Sequence, residues 1–201
     1  MINENHILNQ VSIVTDIELE KLFWISVYGS HCYGTNHSLS DIDIICLTLE
    51  SGIDKELHID DISVRLLDID LYIDMLWDLT DMVILESYFS PLILKQDVTI
   101  DFELDKSKLR KLISATSSNS WVKAKKKINQ GDYYIGLKSA FHSIRIVMFG
   151  IQLAKYGKIV DWNCANYIWY ELNKKVLTSE EIKVQYTTIR NTLLTEFRLL
   201  C

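Results

Sequence analysis

Proline occurs once in these 201 residues and glycine seven times. The chain therefore has no Pro- or Gly-rich linker and no low-complexity segment, and any two domains in it must pack closely. Cysteine is equally sparse. Cys32, Cys46, Cys164 and Cys201 are far apart, with no CxxC pair and no His-Cys cluster, which argues against a zinc site and a disulfide framework. Reduced thiols in a cytoplasmic setting are the expectation. Long apolar runs are missing as well: the most apolar segment, FHSIRIVMFGIQLAKYG, is interrupted by Arg145 and Gln152 well short of a membrane span. The opening MINENHILNQ lacks the basic-then-apolar order of a secretory signal. A soluble globular protein with no membrane partner is expected, long enough for one substantial core or two small ones.

Basic residues are scarce in the first half. Residues 1–100 carry 18 acidic and 4 basic side chains, whereas residues 101–201 carry 9 and 17. A basic half suits a polyanionic partner, and an acidic half repels one unless cations intervene. Helix surfaces rich in Lys and Arg would produce the same imbalance with no partner at all.

The hydrophobic period also changes along the chain. KLFWISVYG, DIDIICLTL and ISVRLL are short, rich in β-branched or aromatic residues and bounded by turn formers, as strands are. A helix is expected over TDIELEKLF, opened by Thr15 with acids in its first turn. From Asp70 onward the spacing becomes helical in LYIDMLWDL, KSKLRKLI, GLKSAFHSIRIVMFGIQLAKYG and TSEEIKVQYTTIRNTLLTEFRLL, the last with a capping box of Thr178 and Glu181. Two domains follow: residues 1–105, mixing strands and helices, and residues 106–201, helical.

Between these strands lies VYGSHCYGTNHSLSDIDI, residues 27–44. Asp41 and Asp43 are one residue apart, so on a strand their carboxylates share a face and repel unless a cation sits between them. Mg²⁺ accepts such oxygens while keeping positions open for water and phosphate, and a pair of such ions clamps the attacking and leaving oxygens of a phosphoryl transfer. Gly29 and Ser30 come directly off an apolar strand, where glycine permits a close backbone approach and a helix start offers N–H groups to an anion. Gly34 and Thr35 supply a second turn before the aspartates. Glycines at bends and alternate acids on a half-exposed strand are each ordinary; their meeting in one short segment is not.

Gly29-Ser30, Gly34-Thr35 and Ser40-Asp41-Ile42-Asp43 resemble the signature of the DNA polymerase beta-like nucleotidyltransferase superfamily. That resemblance implies an α+β fold, a small mixed β-sheet flanked by helices, followed here by a helical C-terminal domain. It also implies a nucleoside triphosphate held at the Gly-Ser turn and two Mg²⁺ ions on the aspartates. Such enzymes add a third carboxylate from a neighbouring strand. HIDDISVRLL offers Asp61 for this place, with Asp60 as its competitor and Asp68 as a weaker choice beyond the strand.

Further along, DISVRLLDIDLYIDMLWDL and MVILESYFSP, with Leu85, Glu86 and Phe89, resemble the RNA-repair-associated nucleotidyltransferases of bacteria and phages. So does KAKKKINQGDYYIGLKSAFHSIRIVMFGIQLAKYG, with its basic helix and His142-x-x-Arg145. The Asn-Pro that often precedes the Leu-Glu segment in that family is absent here. The implied site comprises Asp41, Asp43 and Asp61 as catalytic and metal-binding groups, with Gly29, Ser30, His31, Thr35, Lys123 and Arg145 around the triphosphate. Tyr133, Tyr134, Trp121 and Trp169 are candidates for stacking on bases. The expected activity is nucleoside monophosphate transfer to a hydroxyl, on RNA first, with a protein or small-molecule acceptor, or a non-catalytic nucleotide-binding module, as alternatives.

Overall fold

Ile44, Ile45, Cys46 and Leu47 are all fully buried. A strand covered on both faces needs such an unbroken apolar run, so this segment belongs at the centre of a sheet. The computed structural model, which describes residues 3–174 and 178–201, places it there. The chain divides into two compact units, Met1–Glu103 and Leu104–Cys201.

The first unit runs α1 (Glu4–Thr15), β1 (Leu22–Tyr28), α2 (Ser30–Tyr33), β2 (Ile42–Thr48), β3 (Asp54–Ile59), β4 (Ile62–Asp68), α3 (Ile69–Asp78), α4 (Met82–Tyr88) and β5 (Ile93–Gln96). Its five strands form one sheet in the order β3-β4-β2-β1-β5. β2 and β4 are parallel; the other pairs are antiparallel. The fold is α+β with a mixed sheet flanked by helices, as expected.

Two local expectations fail. The helix expected to open at Thr15 ends there instead: α1 starts from Asn3, whose side chain accepts the His6 N–H, and stops at Asp16 in the left-handed region. Ile7 and Val11, one turn apart, provide its buried face. Of the acids that follow, Glu18 precedes and Glu20 lies within a short 3-10 turn, Leu19–Lys21, and Leu22 and Phe23 already belong to β1. Strands β3 and β5 were not expected, because DKELHI and ILKQ are polar and largely exposed, as edge strands are.

The second unit is helical: α5 (Lys106–Asn129), α6 (Tyr133–Tyr156), α7 (Asn166–Lys174) and α8 (Ser179–Leu200). α5 and α6 form a close hairpin, in which a Cβ on Gly136 would fall 2.6 Å from Ile128 Cγ1, nearer than packed carbons approach. Trp121, Phe141, Ile144, Ile168 and Tyr186 share a core. Within this unit the Arg190 guanidinium, 7% exposed, donates from Nε to Ser117 Oγ at 3.0 Å and Ser143 Oγ at 2.9 Å, and from Nη2 to Ser118 Oγ at 3.0 Å. The capping box of Thr178 and Glu181 opens α8 as expected.

Candidate active site

β1 carries its chain to Tyr28, which pairs across the sheet with Asp43 of β2. The next residue, Gly29, has φ +75° and ψ −151°, a conformation that a side chain resists. Space forbids one too: a Cβ there would collide with Asp43 Oδ2 and lie 3.2 Å from its Cγ. Backbone and carboxylate therefore meet at this point only because residue 29 is glycine. The strand-end glycine and the second aspartate, linked in sequence by motif alone, are in direct apposition.

α2 is a single turn. The Cys32 and Tyr33 N–H groups donate to the Gly29 carbonyl at 3.0 and 3.3 Å, and the Thr35 N–H donates to the Ser30 carbonyl at 3.1 Å. The Ser30 and His31 N–H groups precede the first of these bonds, as at any helix start. Gly34, φ +68°, closes the turn. His31 Nε2 lies 3.4 Å from the Ser40 carbonyl, so this ring is directed along the return loop toward the aspartates. The Thr35 backbone is committed to the turn; its side chain is half-buried.

Deep contacts hold α2 in place. The Tyr33 hydroxyl donates to Glu86 Oε2 on α4, and both residues are buried. Cys32 Sγ donates to the Val27 carbonyl at 3.2 Å, and Ser90 Oγ donates to the same oxygen. The Leu-Glu segment thus anchors the Gly-Ser turn.

Asp41 is exposed immediately before β2, and Asp43 is half-buried within it. On the parallel partner β4, Ser63 stands beside Asp43 and Arg65 beside Ile45. Asp61 precedes the Ile42–Ile62 rung just as Asp41 does, and its carbonyl accepts the Ile42 N–H at 2.7 Å. Asp60, φ +49°, and Asp61 form the two-residue turn between β3 and β4. Asp68 lies at the other end of β4 and is taken up by backbone, accepting the Asp70 N–H at 3.0 Å and the Gly52 N–H at 2.8 Å.

Arg65 joins three elements, paired with Asp54 at 3.0 Å and Asp81 at 3.1 Å. The Tyr28 phenol is pushed above its ordinary range, first by burial and then by the carboxylates of Asp43, Glu56 and Asp81, with Arg65 opposing. Tyr28 therefore remains a neutral hydroxyl beside Asp43 at physiological pH. Tyr28, Ser63 and Arg65 were not named by the sequence reading. The first two are visible only once strand register is known, and Arg65 only once the fold brings Asp54 and Asp81 to it.

Lys123, Arg145 and His142 belong to the second unit. Lys123 is exposed on α5. Arg145 is 4% exposed, its guanidinium carbon 5.4 Å from the Phe149 ring centre and 5.9 Å from that of Phe141. His142 is held well below the ordinary histidine range, chiefly by burial and then by Arg145, Lys138 and Lys123.

Among the described residues no three His, Cys, Asp or Glu side chains gather as a group able to hold a metal ion. Asp41 and Asp43 offer two carboxylates one residue apart at the start of β2. Mg²⁺ commonly takes one or two carboxylates and completes its shell with water and substrate phosphate, and that donor set fits this strand mouth. On β4, Ser63 stands beside Asp43, and Asp61 precedes the rung that Asp41 precedes.

No family model and no curated protein sequence matches the chain. Among solved structures, a nucleotidyltransferase-like protein from Exiguobacterium sibiricum 255-15 aligns with a TM-score of 0.39 at 12% identity, covering 98% of this chain and 74% of that one.

Proposed function

We propose that the junction of Gly29, Ser30, Asp41 and Asp43 is a nucleotidyltransferase site, transferring a nucleoside monophosphate from a nucleoside triphosphate to a hydroxyl. The observation that carries this reading is the apposition of Gly29 and Asp43. The Asp43 carboxylate fills the space a side chain at residue 29 would need, so a turn with open N–H groups and an acidic strand mouth form one surface. Either half alone is a common feature of sheets; a shared edge is what triphosphate chemistry requires.

In this reading the Ser30 hydroxyl and the Ser30 and His31 N–H groups bind phosphate oxygens, and His31 braces the loop that returns to Asp41. Asp41 and Asp43 would hold Mg²⁺ arriving with the triphosphate, which neutralises charge building on the phosphates. The acceptor oxygen forms its bond to the α-phosphorus, the bond to the bridging oxygen breaks, and pyrophosphate departs. Asp61, beside Asp41 at the mouth, takes the acceptor's proton. Tyr28 lends a neutral O–H next to Asp43.

RNA is the favoured acceptor because residues 104–201 carry 17 basic against 7 acidic side chains. The test supplies the purified protein with Mg²⁺, each α-labelled nucleoside triphosphate and a pool of short RNAs. Label on RNA supports the reading, with transfer weakening steeply as salt rises. Label on protein or a small molecule moves the acceptor to the second class. Tight triphosphate binding with no product makes the chain a non-catalytic nucleotide-binding module.

A further inference from the structure

Tyr134, Lys138, His142 and Arg145 follow one another on α6 at intervals of four, four and three residues, which sets them along one stripe. The Tyr134 ring meets Trp169 of α7 edge to face at 6.4 Å, and Trp169 lies 5.4 Å from Phe141, beneath the stripe. Tyr133, Tyr134 and Tyr170 are each about half exposed, at 51%, 49% and 51%. Exposed rings that group into one patch mark a surface a partner can cover.

Lys138, one turn beyond Tyr134 on α6, puts a cation beside these rings. Lys21, Lys95, Lys127 and Lys155 each meet a carboxylate, at 2.8, 2.9, 3.0 and 2.8 Å. Lys123 and Lys138 are exposed, and among the described residues neither has a carboxylate partner. Their charge is felt together with that of Arg145 at His142. An aromatic edge bordered by uncompensated lysines matches a chain of phosphates with unpaired bases, whose π faces stack on the rings while the cations follow the backbone.

We propose that the face formed by Tyr134, Lys138 and Trp169 binds a single-stranded nucleic acid, which is the RNA acceptor if the reaction proposed above is correct. For that role the inference rests on the transferase reading; the binding itself does not. Duplexes offer phosphates but keep their bases stacked, so the single strand is preferred.

The test is fluorescence anisotropy on the full chain with a labelled uridine-rich RNA of about a dozen nucleotides, within the range a single-strand site accommodates. A duplex of the same length and increasing salt are run in parallel. The single strand should bind more tightly than the duplex. Tyr134→Ala should weaken binding about tenfold, the usual scale for loss of one stacking platform, and Tyr134→Phe should restore it. Lys138→Glu should weaken binding and flatten the salt dependence. Circular dichroism and Tm establish that each variant is folded.

The Asp41→Asn/Asp43→Asn double variant separates the two readings. Unchanged strand binding together with lost transfer supports both. Strand binding sensitive to Tyr134 without transfer in the wild type keeps this inference and removes the reaction. Equal affinity for duplex and single strand, or a folded Tyr134→Ala that binds like the wild type, overturns the docking face. Self-association sensitive to Lys138→Glu with no strand binding overturns it in favour of a second copy as the occupant.

Discussion

At the scale of single residues, Gly29 concentrates the argument. Its φ of +75° and the Asp43 carboxylate standing where its Cβ would go each exclude a side chain. Gly29→Ala should therefore cost about 1–3 kcal/mol in urea unfolding, the range for a side chain forced into a disfavoured conformation, and should abolish transfer by displacing Asp43. Asp43→Asn keeps the shape and removes only charge, so Tm should hold while transfer falls by orders of magnitude. Ser63, on the same rung as Asp43, offers the converse experiment. Ser63→Asp places a second carboxylate there, and Mg²⁺ should raise the Tm of that variant more than that of the wild type. Equal shifts would mean that residue 63 does not face the cation. The signature Gly-Ser and Asp-x-Asp residues were legible in the sequence because their chemistry is local. Ser63 was not, because parallel register is fixed by packing between segments 20 residues apart.

At the scale of elements, the site depends on how α2 is tethered. One helical turn has no stability of its own. Its position comes from Tyr33 against the buried Glu86 and from Cys32 and Ser90 on the Val27 carbonyl. Tyr33→Phe removes a donor from a buried carboxylate and should lower stability by about 1–3 kcal/mol. A clear loss of triphosphate affinity should accompany it, as titration calorimetry would show. An unchanged affinity would mean that the turn holds its shape without the tether. The main strands and long helices were legible because their apolar periods are strong. The edge strands β3 and β5 were not, since half of such a strand faces water and carries little hydrophobic signal. The misplaced first helix teaches a related lesson: Thr15 followed by acids reads as a helix start, yet the buried pair Ile7 and Val11 decides where the helix lies.

For the whole molecule, charge and buried polarity divide along the chain. Residues 1–103 hold 20 acidic and 4 basic side chains. That half attracts cations, as a Mg²⁺-triphosphate site needs, and the basic remainder attracts polyanions. In the helical unit His142 stays neutral because burial and three nearby cations disfavour its charged form. Its folded pKa lies below the unfolded value near 6.5, so the unfolded chain binds the extra proton first as pH falls. This contribution to stability is complete above about pH 6.5 and declines as pH drops below it toward the folded pKa. Urea unfolding followed from pH 8 to pH 5 should show that decline, and His142→Phe should make it shallower. A wild-type profile matched by the variant would assign the acid sensitivity to other groups.

The central claim is that the Gly29–Asp43 junction turns over a nucleoside triphosphate. Pyrophosphate release, measured with Mg²⁺ and short RNA for the wild type and for Asp43→Asn at matched folded concentration, tests it most directly. The account predicts pyrophosphate in equal amount to label transferred from the α-phosphate, with both lost in Asp43→Asn. Pyrophosphate and label that persist in the folded Asp43→Asn protein would contradict it.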